Sequence, residues 1–133
     1  MLADWVDAKR KEKHAEDNDI LVMGDFNIPE QDDELFKAVT SKGLRVPAAL
    51  LGEKFGTNLA KDKRYDQILH YAVYPANFTN AGGIVDFYSS DHEPLFPGVS
   101  KNDFTYEMSD HLPLWIQINT DIDGFKLDQI IKG

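Results

Sequence analysis

The chain of 133 residues has no cysteine, which excludes disulfide bonds, zinc sites built on thiolates and a cysteine nucleophile. It has no apolar run near the roughly 18 residues that a membrane-spanning helix requires, and its longest candidates cover residues 20–23 and 46–51. No apolar stretch of signal-peptide length follows Met1. Nothing in these first residues directs export, so the chain as written is expected in the cytoplasm.

Basic residues are few relative to acidic ones: 14 Lys and Arg stand against 23 Asp and Glu, which gives a formal net charge of −9. Such a surface repels polyanions at long range, so tight nucleic-acid binding without a metal is not expected. Hydrophobic residues still make up 42% of the chain, enough to bury a core, and the length corresponds to one domain or part of one. We therefore expect a folded globular unit with no membrane span.

The pattern of apolar residues predicts an α/β fold. Leu2, Trp5 and Val6 have helical spacing and predict a first helix. A second helix is expected to be capped by residue 32 or 33 and to end near Gly43, which suits a left-handed exit; its apolar stripe is Leu35, Phe36 and Val39. Most of residues 75–105 is predicted to be loop because it is rich in Pro, Gly, Asn and Ser. Strands are predicted in five segments: 20–23 (buried on both faces), 44–51, 65–73, 84–88 and, most clearly, 112–118.

The sequence GDFN, at residues 24–27, lies where the first predicted strand ends. Residues two apart in an extended chain face the same way, so Asp25 and Asn27 would project together while Phe26 turns into the core. A carboxylate beside a carboxamide can orient a water molecule and accept its proton, and strand ends are where α/β sheets place ligands. An ordinary turn made of the same residue types is the competing interpretation.

The sequence SDHLP, at residues 109–113, leads into the clearest predicted strand. His111 titrates in a range suited to proton transfer, and the neighbouring Asp110 favours its charged form. The alternative is a surface histidine at a capped strand entry. A near copy, SDHEP at residues 90–94, runs into a segment with two prolines that would not hold Asp91 and His92 rigidly, so the second copy is the preferred candidate.

The sequence RYDQI, at residues 64–68, opens another predicted strand. Asp66 can there hydrogen-bond a histidine on a neighbouring strand and fix its tautomer and orientation. A surface ion pair of Asp66 with Arg64 or Lys63 is the competing interpretation. Five polar side chains are expected to gather at neighbouring strand tips: Asp25, Asn27, Asp66, Asp110 and His111.

Taken in chain order, GDFN, YDQI and SDHLP resemble the endonuclease/exonuclease/phosphatase superfamily, the deoxyribonuclease-I-like metal-dependent phosphoesterases. The resemblance covers residues 2–119 and implies the C-terminal half of an α/β sandwich, built from packed mixed β-sheets with flanking helices. It implies that residues 1–119 form this half-domain. Residues 120–133 then form a terminal extension, for which a short helix is expected.

The resemblance also implies the role of each residue. Asp25 activates or aligns the attacking water, Asn27 holds the phosphate or the water, and His111 contacts the scissile phosphate with Asp66 behind it. Asp110 and Asp25 supply oxygen ligands to Mg²⁺, or to Mn²⁺ in its place. The implied activity is nuclease-like hydrolysis of a phosphodiester or phosphomonoester, and the choice among DNA, RNA, a nucleotide, an inositol phosphate and a lipid head group stays open.

The sequence departs from the family pattern in one major respect. The glutamate that binds magnesium in this family precedes these motifs and has no counterpart here, so two acids alone should bind Mg²⁺ weakly. The alternative function is a catalytically incompetent module that forms a homodimer or needs a complementary chain, such as the missing N-terminal half. A third option, an acidic calcium-binding domain, rests on DIDG at residues 121–124, which lacks the closing ligands of a calcium loop.

Overall fold

A computed structural model describes residues 1–12, 19–51, 56–72, 77–90, 92–94, 96–120 and 131. Within these residues the elements, in chain order, are α1 (Leu2–Arg10), β1 (Ile20–Asp25), α2 (Glu34–Thr40), a 3₁₀ helix (Ala48–Leu50), β2 (Asp66–Tyr71), β3 (Phe78–Ile84), α3 (Lys101–Met108) and β4 (Leu114–Ile118). The predicted combination of helices and strands is confirmed. None of the described helices is both long and apolar enough to cross a bilayer.

The strands form two antiparallel ribbons. β1 pairs with β2 from Ile20 opposite Tyr71 at one end to Asp25 opposite Asp66 at the other. β3 pairs with β4 in the second ribbon. Both sheets in the described part of the chain are antiparallel, whereas the resemblance implies mixed sheets. Hydrophobic patterning identifies strands but carries no information about the direction of their partners, which tertiary packing decides.

The core lies on one side of the β1–β2 ribbon, where both helices of the N-terminal part reach it. Its buried cluster consists of Val6, Ile28, Phe36, Leu44 and Leu69. α1 buries Ala3 and Val6, whereas Leu2 and Trp5, which the spacing assigned to the apolar face, are exposed. The periodicity therefore predicts the helix correctly but assigns part of its buried face wrongly.

α2 begins where the sequence places a cap. The side chain of Asp33 accepts a hydrogen bond of 2.7 Å from the amide of Leu35, which has no partner within the helix. Gly43 follows the helix with the predicted positive φ, 99°, a conformation that favours glycine. Phe36 is buried as expected, but Leu35 is 62% exposed. One residue of the predicted apolar stripe therefore faces solvent.

Two predicted strands are wrong. Residues 44–51 make an isolated bridge between Arg45 and His70 and then turn into the 3₁₀ helix. Pro47 lies between these two features and has no amide to donate, which ends the ladder. The brief strand predicted at 84–88 is also absent, because β3 ends at Ile84 and a turn follows. The apolar residues that follow Ile84 are therefore not part of a strand.

Two further expectations are corrected. The segment predicted as mostly loop contains β3 and the start of α3. The N-terminus of α3 is capped by the Ser100 hydroxyl, which accepts from the amide of Asp103 at 3.2 Å. β1 is not buried on both faces, since Met23 is exposed and β1 has a single partner among the described residues. The predicted terminal helix and the DIDG segment lie outside the described residues, Ile131 excepted.

An ion pair joins the loop before β2 to the turn after β3. The Lys61 ammonium contacts the Asp86 carboxylate and also donates to the Ser89 hydroxyl at 2.9 Å, while the Ser89 amide donates to Asp86 at 2.9 Å. The hydrogen bond from Lys61, helped by the one from Ser89, lowers the pKa of Asp86 from 3.8 to about 2. A lowered carboxyl pKa contributes stability above the unfolded value, and this contribution is lost as pH falls toward the folded value.

Asp86→Asn is therefore expected to lower the free energy of unfolding by about 1–2 kcal/mol at pH 7, a figure reduced for solvent screening because Lys61 is 36% exposed. Urea unfolding should show the difference shrinking between pH 4 and pH 2. Glu34→Gln, which removes the exposed pair with Lys37, serves as the control and should change stability by under about 0.5 kcal/mol. Equal effects of the two substitutions at pH 7 would contradict the assignment.

Candidate active site

Two aspartates face each other where the β1–β2 ribbon ends. Asp25 is the last residue of β1 and lies directly opposite Asp66, the first residue of β2. The Phe26 amide donates to the Tyr65 carbonyl at 2.9 Å, which holds the two segments together one residue beyond this pair. Like charges directly opposite each other are unfavourable in a sheet. This end of the ribbon therefore favours a cation beside the two carboxylates.

A histidine from the segment before β4 contacts one of these two aspartates. The Nδ1–H of His111, in the segment before β4, donates to Asp66 Oδ2 at 2.7 Å. The backbone of His111 is held by a bridge to Asn58 and by its amide, which donates to the Ser109 hydroxyl at 2.9 Å. The Tyr65 ring lies beside the imidazole, with ring centroids 5.9 Å apart. The predicted hydrogen bond from a histidine to Asp66 is confirmed.

The acidic surroundings favour the charged form of His111. The hydrogen bond to Asp66 raises the pKa of His111 above its ordinary value, partial burial opposes the rise, and the charges of Asp66, Asp110 and Asp25 add to it. Because Nδ1 donates to a carboxylate that can only accept, Nε2 is the nitrogen that gains or loses the proton. The ring is thus oriented by Asp66 and exchanges its proton at the opposite nitrogen.

Asp25 and Asn27 form a turn as well as part of the cluster. The Asn27 amide donates to Asp25 Oδ1 at 2.8 Å, and Asn27 has a positive φ of 51°, which asparagine tolerates. Phe26 between them packs against the core, as predicted. The turn interpretation therefore describes the backbone correctly. It coexists with the cluster, because the turn leaves the Asp25 side chain exposed beside Asp66.

The structure brings three of the five predicted residues into one group. One carboxylate oxygen each of Asp25 and Asp66 and one ring nitrogen of His111 all lie within 4.8 Å of one another. Asp110 is exposed and is not in this group; it lines an adjoining cavity of about 540 Å³ together with Ser109. Its charge still acts on His111. Asn27 contributes through the backbone hydrogen bond to Asp25.

The competing interpretation for Asp66 is not what the structure shows. Lys63 pairs with Glu30 at 2.8 Å, and the Arg64 guanidinium donates to the Leu50 carbonyl at 3.0 Å. The carboxylate of Asp66 is engaged by His111 instead. Lys63 and Arg64 therefore make contacts with residues other than Asp66.

The near copy of the histidine motif has a packing role. The Nε2–H of His92 donates to the Val99 carbonyl at 2.7 Å, and its ring stacks on Phe104 with centroids 4.8 Å apart. Asp91 lies outside the described residues. The preference for His111 over His92 agrees with these contacts, since the ring face of His92 packs on Phe104 and its Nε2–H is hydrogen-bonded to the backbone.

The donor set suits a hard divalent cation. Mg²⁺ prefers one or two carboxylates completed by waters and substrate oxygens, and Asp25 and Asp66 offer carboxylates side by side. Asp66 is also committed to His111, so it offers less than a free carboxylate would. The group therefore fits a weakly held Mg²⁺ or Mn²⁺. With one imidazole and no thiolate, these three residues do not make the four-ligand set of a structural zinc site.

Two residues around the site were not singled out from the sequence. Asn58 bridges His111 and also accepts hydrogen bonds from the amides of Asp62 and Lys63, at 3.0 and 2.9 Å, which shape the loop before β2. Tyr65 supplies the ring beside His111. The only sequence signal for Asn58 is an asparagine in a turn-rich segment, which is common. Tyr65 lies inside the YDQI motif, so its position was visible there.

Comparisons of the chain with protein-family models, with curated proteins and with solved structures find no match. The residues of the site and their geometry are therefore the basis on which a function can be assigned to this chain.

Proposed function

We propose that this chain carries a metal-dependent phosphoesterase site of the deoxyribonuclease-I-like type, formed by Asp25, Asn27, Asp66, Asp110 and His111. One observation supports it most directly. Two side chains 45 residues apart, Asp66 and His111, make a hydrogen bond of 2.7 Å beside the exposed carboxylate of Asp25. A carboxylate–imidazole pair next to a second carboxylate provides both an acid and a base at one place.

The residues divide the work of phosphate-ester hydrolysis by their charges. The exposed carboxylate of Asp25 aligns the attacking water and accepts its proton. Imidazolium His111, held by Asp66, donates from Nε2 to a phosphate oxygen or to the leaving oxygen as negative charge builds on it. Asn27 supports the water or the phosphate beside Asp25. In a chain of net charge −9, a positive group at this position offsets the repulsion of an anionic substrate.

Asp25 would hold Mg²⁺ or Mn²⁺, with Asp66 beside it and Asp110 next to His111 in the chain as further carboxylate ligands. The metal would supply charge neutralisation at the phosphate and a more acidic bound water. Asp25 belongs to the three-residue group, whereas Asp110 lies outside it and lines the adjoining cavity. Because Asp110 lies outside the group that contains Asp25, the carboxylates are not all gathered around one point, which agrees with weak metal binding. High magnesium concentrations should therefore be needed for full activity.

The direct test measures hydrolysis of bis(p-nitrophenyl) phosphate with magnesium, with EDTA and with Asp25→Asn. We expect EDTA to abolish hydrolysis and Asp25→Asn to lower kcat by about 10²-fold, with part of the loss recovered at higher magnesium. Asparagine keeps an oxygen that can accept from the Asn27 amide, so the turn is preserved.

Asp33→Asn is the matched control, because Asp33 accepts from the amide two residues ahead in the same way, at 2.7 Å, but caps α2 away from the site. It should leave hydrolysis unchanged. Hydrolysis that is indifferent both to EDTA and to Asp25→Asn would end the proposal. A folded wild-type chain without any hydrolysis would instead favour the inactive module that self-associates or needs a complementary chain, for which the exposed Trp115 and Ile118 of β4 offer apolar surface.

A further inference from the structure

Thr57 is a fully buried polar residue that none of the three motifs contains. It is 0% exposed. Burying a hydroxyl is unfavourable unless it is hydrogen-bonded, so a threonine at such a place should have a partner. Its partner is the backbone of a proposed site residue: the Asp66 amide donates to Thr57 Oγ1 at 3.1 Å.

The backbone of Thr57 contacts the other side of the site. Its carbonyl accepts from the amide of Leu112, the residue after His111, at 2.6 Å. Its amide donates to the Lys63 carbonyl at 2.7 Å, which closes the loop that leads into β2. The next residue, Asn58, makes the bridge to His111. Thr57 therefore stands between the chain segments that carry Asp66 and His111 and is bonded to both.

The hydroxyl has a role that the backbone bonds cannot replace. Asp66 is the first residue of β2, and its amide is satisfied by Thr57 Oγ1. Without that acceptor the amide would lack a partner in a partly buried place, and the start of β2 would shift to find one. The Asp66 carboxylate would move with it, while the His111 segment would stay in place, because the Thr57 carbonyl still accepts from the Leu112 amide at 2.6 Å. A hydrogen bond of 2.7 Å between the two side chains is sensitive to such a shift.

We propose that Thr57 is a positioning residue whose hydroxyl sets the hydrogen bond between Asp66 and His111 and so aims the imidazole ring. Its consequence for turnover rests on the proposed phosphoesterase function. Its effect on the Asp66–His111 hydrogen bond does not, because that bond can be observed in the absence of substrate.

Thr57→Val tests the proposal by removing the hydroxyl while keeping the shape of the side chain. In the full chain, the Nδ1 proton of His111 should give a downfield NMR signal typical of a hydrogen bond to a carboxylate. We expect Thr57→Val to shift this signal upfield or to broaden it by exchange with water, and Thr57→Ser to restore it. In hydrolysis, Thr57→Val should lower kcat by about tenfold with little change in KM, since a misaimed ring affects the reaction more than binding.

Thr79→Val is the matched control. The Thr79 hydroxyl donates to the Gln117 carbonyl at 3.1 Å and accepts from the Ala81 amide at 3.3 Å, so the same substitution removes two hydrogen bonds in the β3–β4 ribbon. It should leave the His111 signal and kcat unchanged even if it lowers stability. A merely structural role for Thr57 predicts that both valine variants behave alike.

An unchanged His111 Nδ1 signal in folded Thr57→Val would overturn the proposal. Should that variant not fold, Thr57→Ser and Thr57→Ala, which differ by the hydroxyl alone, decide the question: equal signals in the two contradict it, and a signal lost only in the alanine variant supports it. If the wild type shows the signal but no hydrolysis, the phosphoesterase proposal fails while the positioning role of Thr57 is still decided by NMR.

Discussion

His111→Ala is expected to lower kcat for magnesium-dependent phosphodiester hydrolysis by about 10³-fold, the middle of the range for loss of a general acid. The substitution removes the positive group beside Asp25 and leaves Asp66 opposite Asp25 without its hydrogen-bond donor. Excess magnesium should not restore this loss, because a bound metal does not replace a proton donor at the leaving oxygen. Recovery at high magnesium would show that the imidazole serves only to balance charge.

The pH dependence has a definite sign. The pKa of His111 is raised by Asp66, so the ring stays protonated above the pH at which an ordinary histidine loses its proton. If the imidazolium is the active form, kcat should be retained through that range and fall as pH rises through the elevated pKa. The stability from the Asp66–His111 pair follows the same direction: it is fully present below the unfolded pKa and is lost as pH rises through the folded one.

His92→Ala is the control for His111→Ala, because His92 occupies the near copy of the motif and also donates to a single acceptor, the Val99 carbonyl. Removing it should reduce the stability of the α3 region by loss of the contact with Phe104 and leave kcat of the folded protein unchanged. Equal losses of kcat in folded His111→Ala and folded His92→Ala would contradict the assignment of the site to His111.

Leu69→Ala is expected to lower the free energy of unfolding by about 3 kcal/mol, since it creates a cavity in the buried cluster. Leu69 is 0% exposed and lies in the middle of β2, where it contacts the face that α1 and α2 cover. The loss should appear as a lower urea midpoint with an unchanged slope. β2 begins at Asp66, so the same strand carries both the core residue and the site residue.

Leu35→Ala is the control for this substitution. Leu35 belongs to the apolar stripe that the sequence predicts for α2, but its side chain is 62% exposed in the structure. Its replacement should change stability by under about 0.5 kcal/mol. A cost for Leu35→Ala that matches the cost for Leu69→Ala would mean that α2 turns its other face to the core.

How far the sequence predicts this molecule depends on the feature. The strand that carries Asp66 follows from its run of apolar and β-branched residues, and the capped start of α2 at Asp33 follows from side-chain chemistry that acts within two residues. α3 was missed because Phe104 is its single buried hydrophobic residue, which leaves no helical stripe to detect. The failed strand at 44–51 contains Pro47, which the apolar pattern does not register.

The site divides in the same way. The chain order of the motifs places Asp25, Asp66 and His111 at strand ends, and the structure brings those three together. Asp110 precedes His111 directly, so sequence proximity alone could not tell whether its side chain joins the group or faces the adjoining cavity. The burial of Thr57 between the two ribbons depends on long-range packing. No local pattern around residue 57 indicates it.

The two aspartates opposite each other at the end of the β1–β2 ribbon have a consequence for how folding and ligand binding are linked. Without a bound cation their mutual repulsion disfavours pairing at this position of the ribbon, and among the described residues the His111 imidazolium, bonded to Asp66, counters it. A cation bound there, as proposed, would relieve this repulsion, and part of its binding energy would then stabilise the fold. The β1–β2 ribbon would then be most stable with a cation bound. Without the cation it would fray most readily at the Asp25–Asp66 pair.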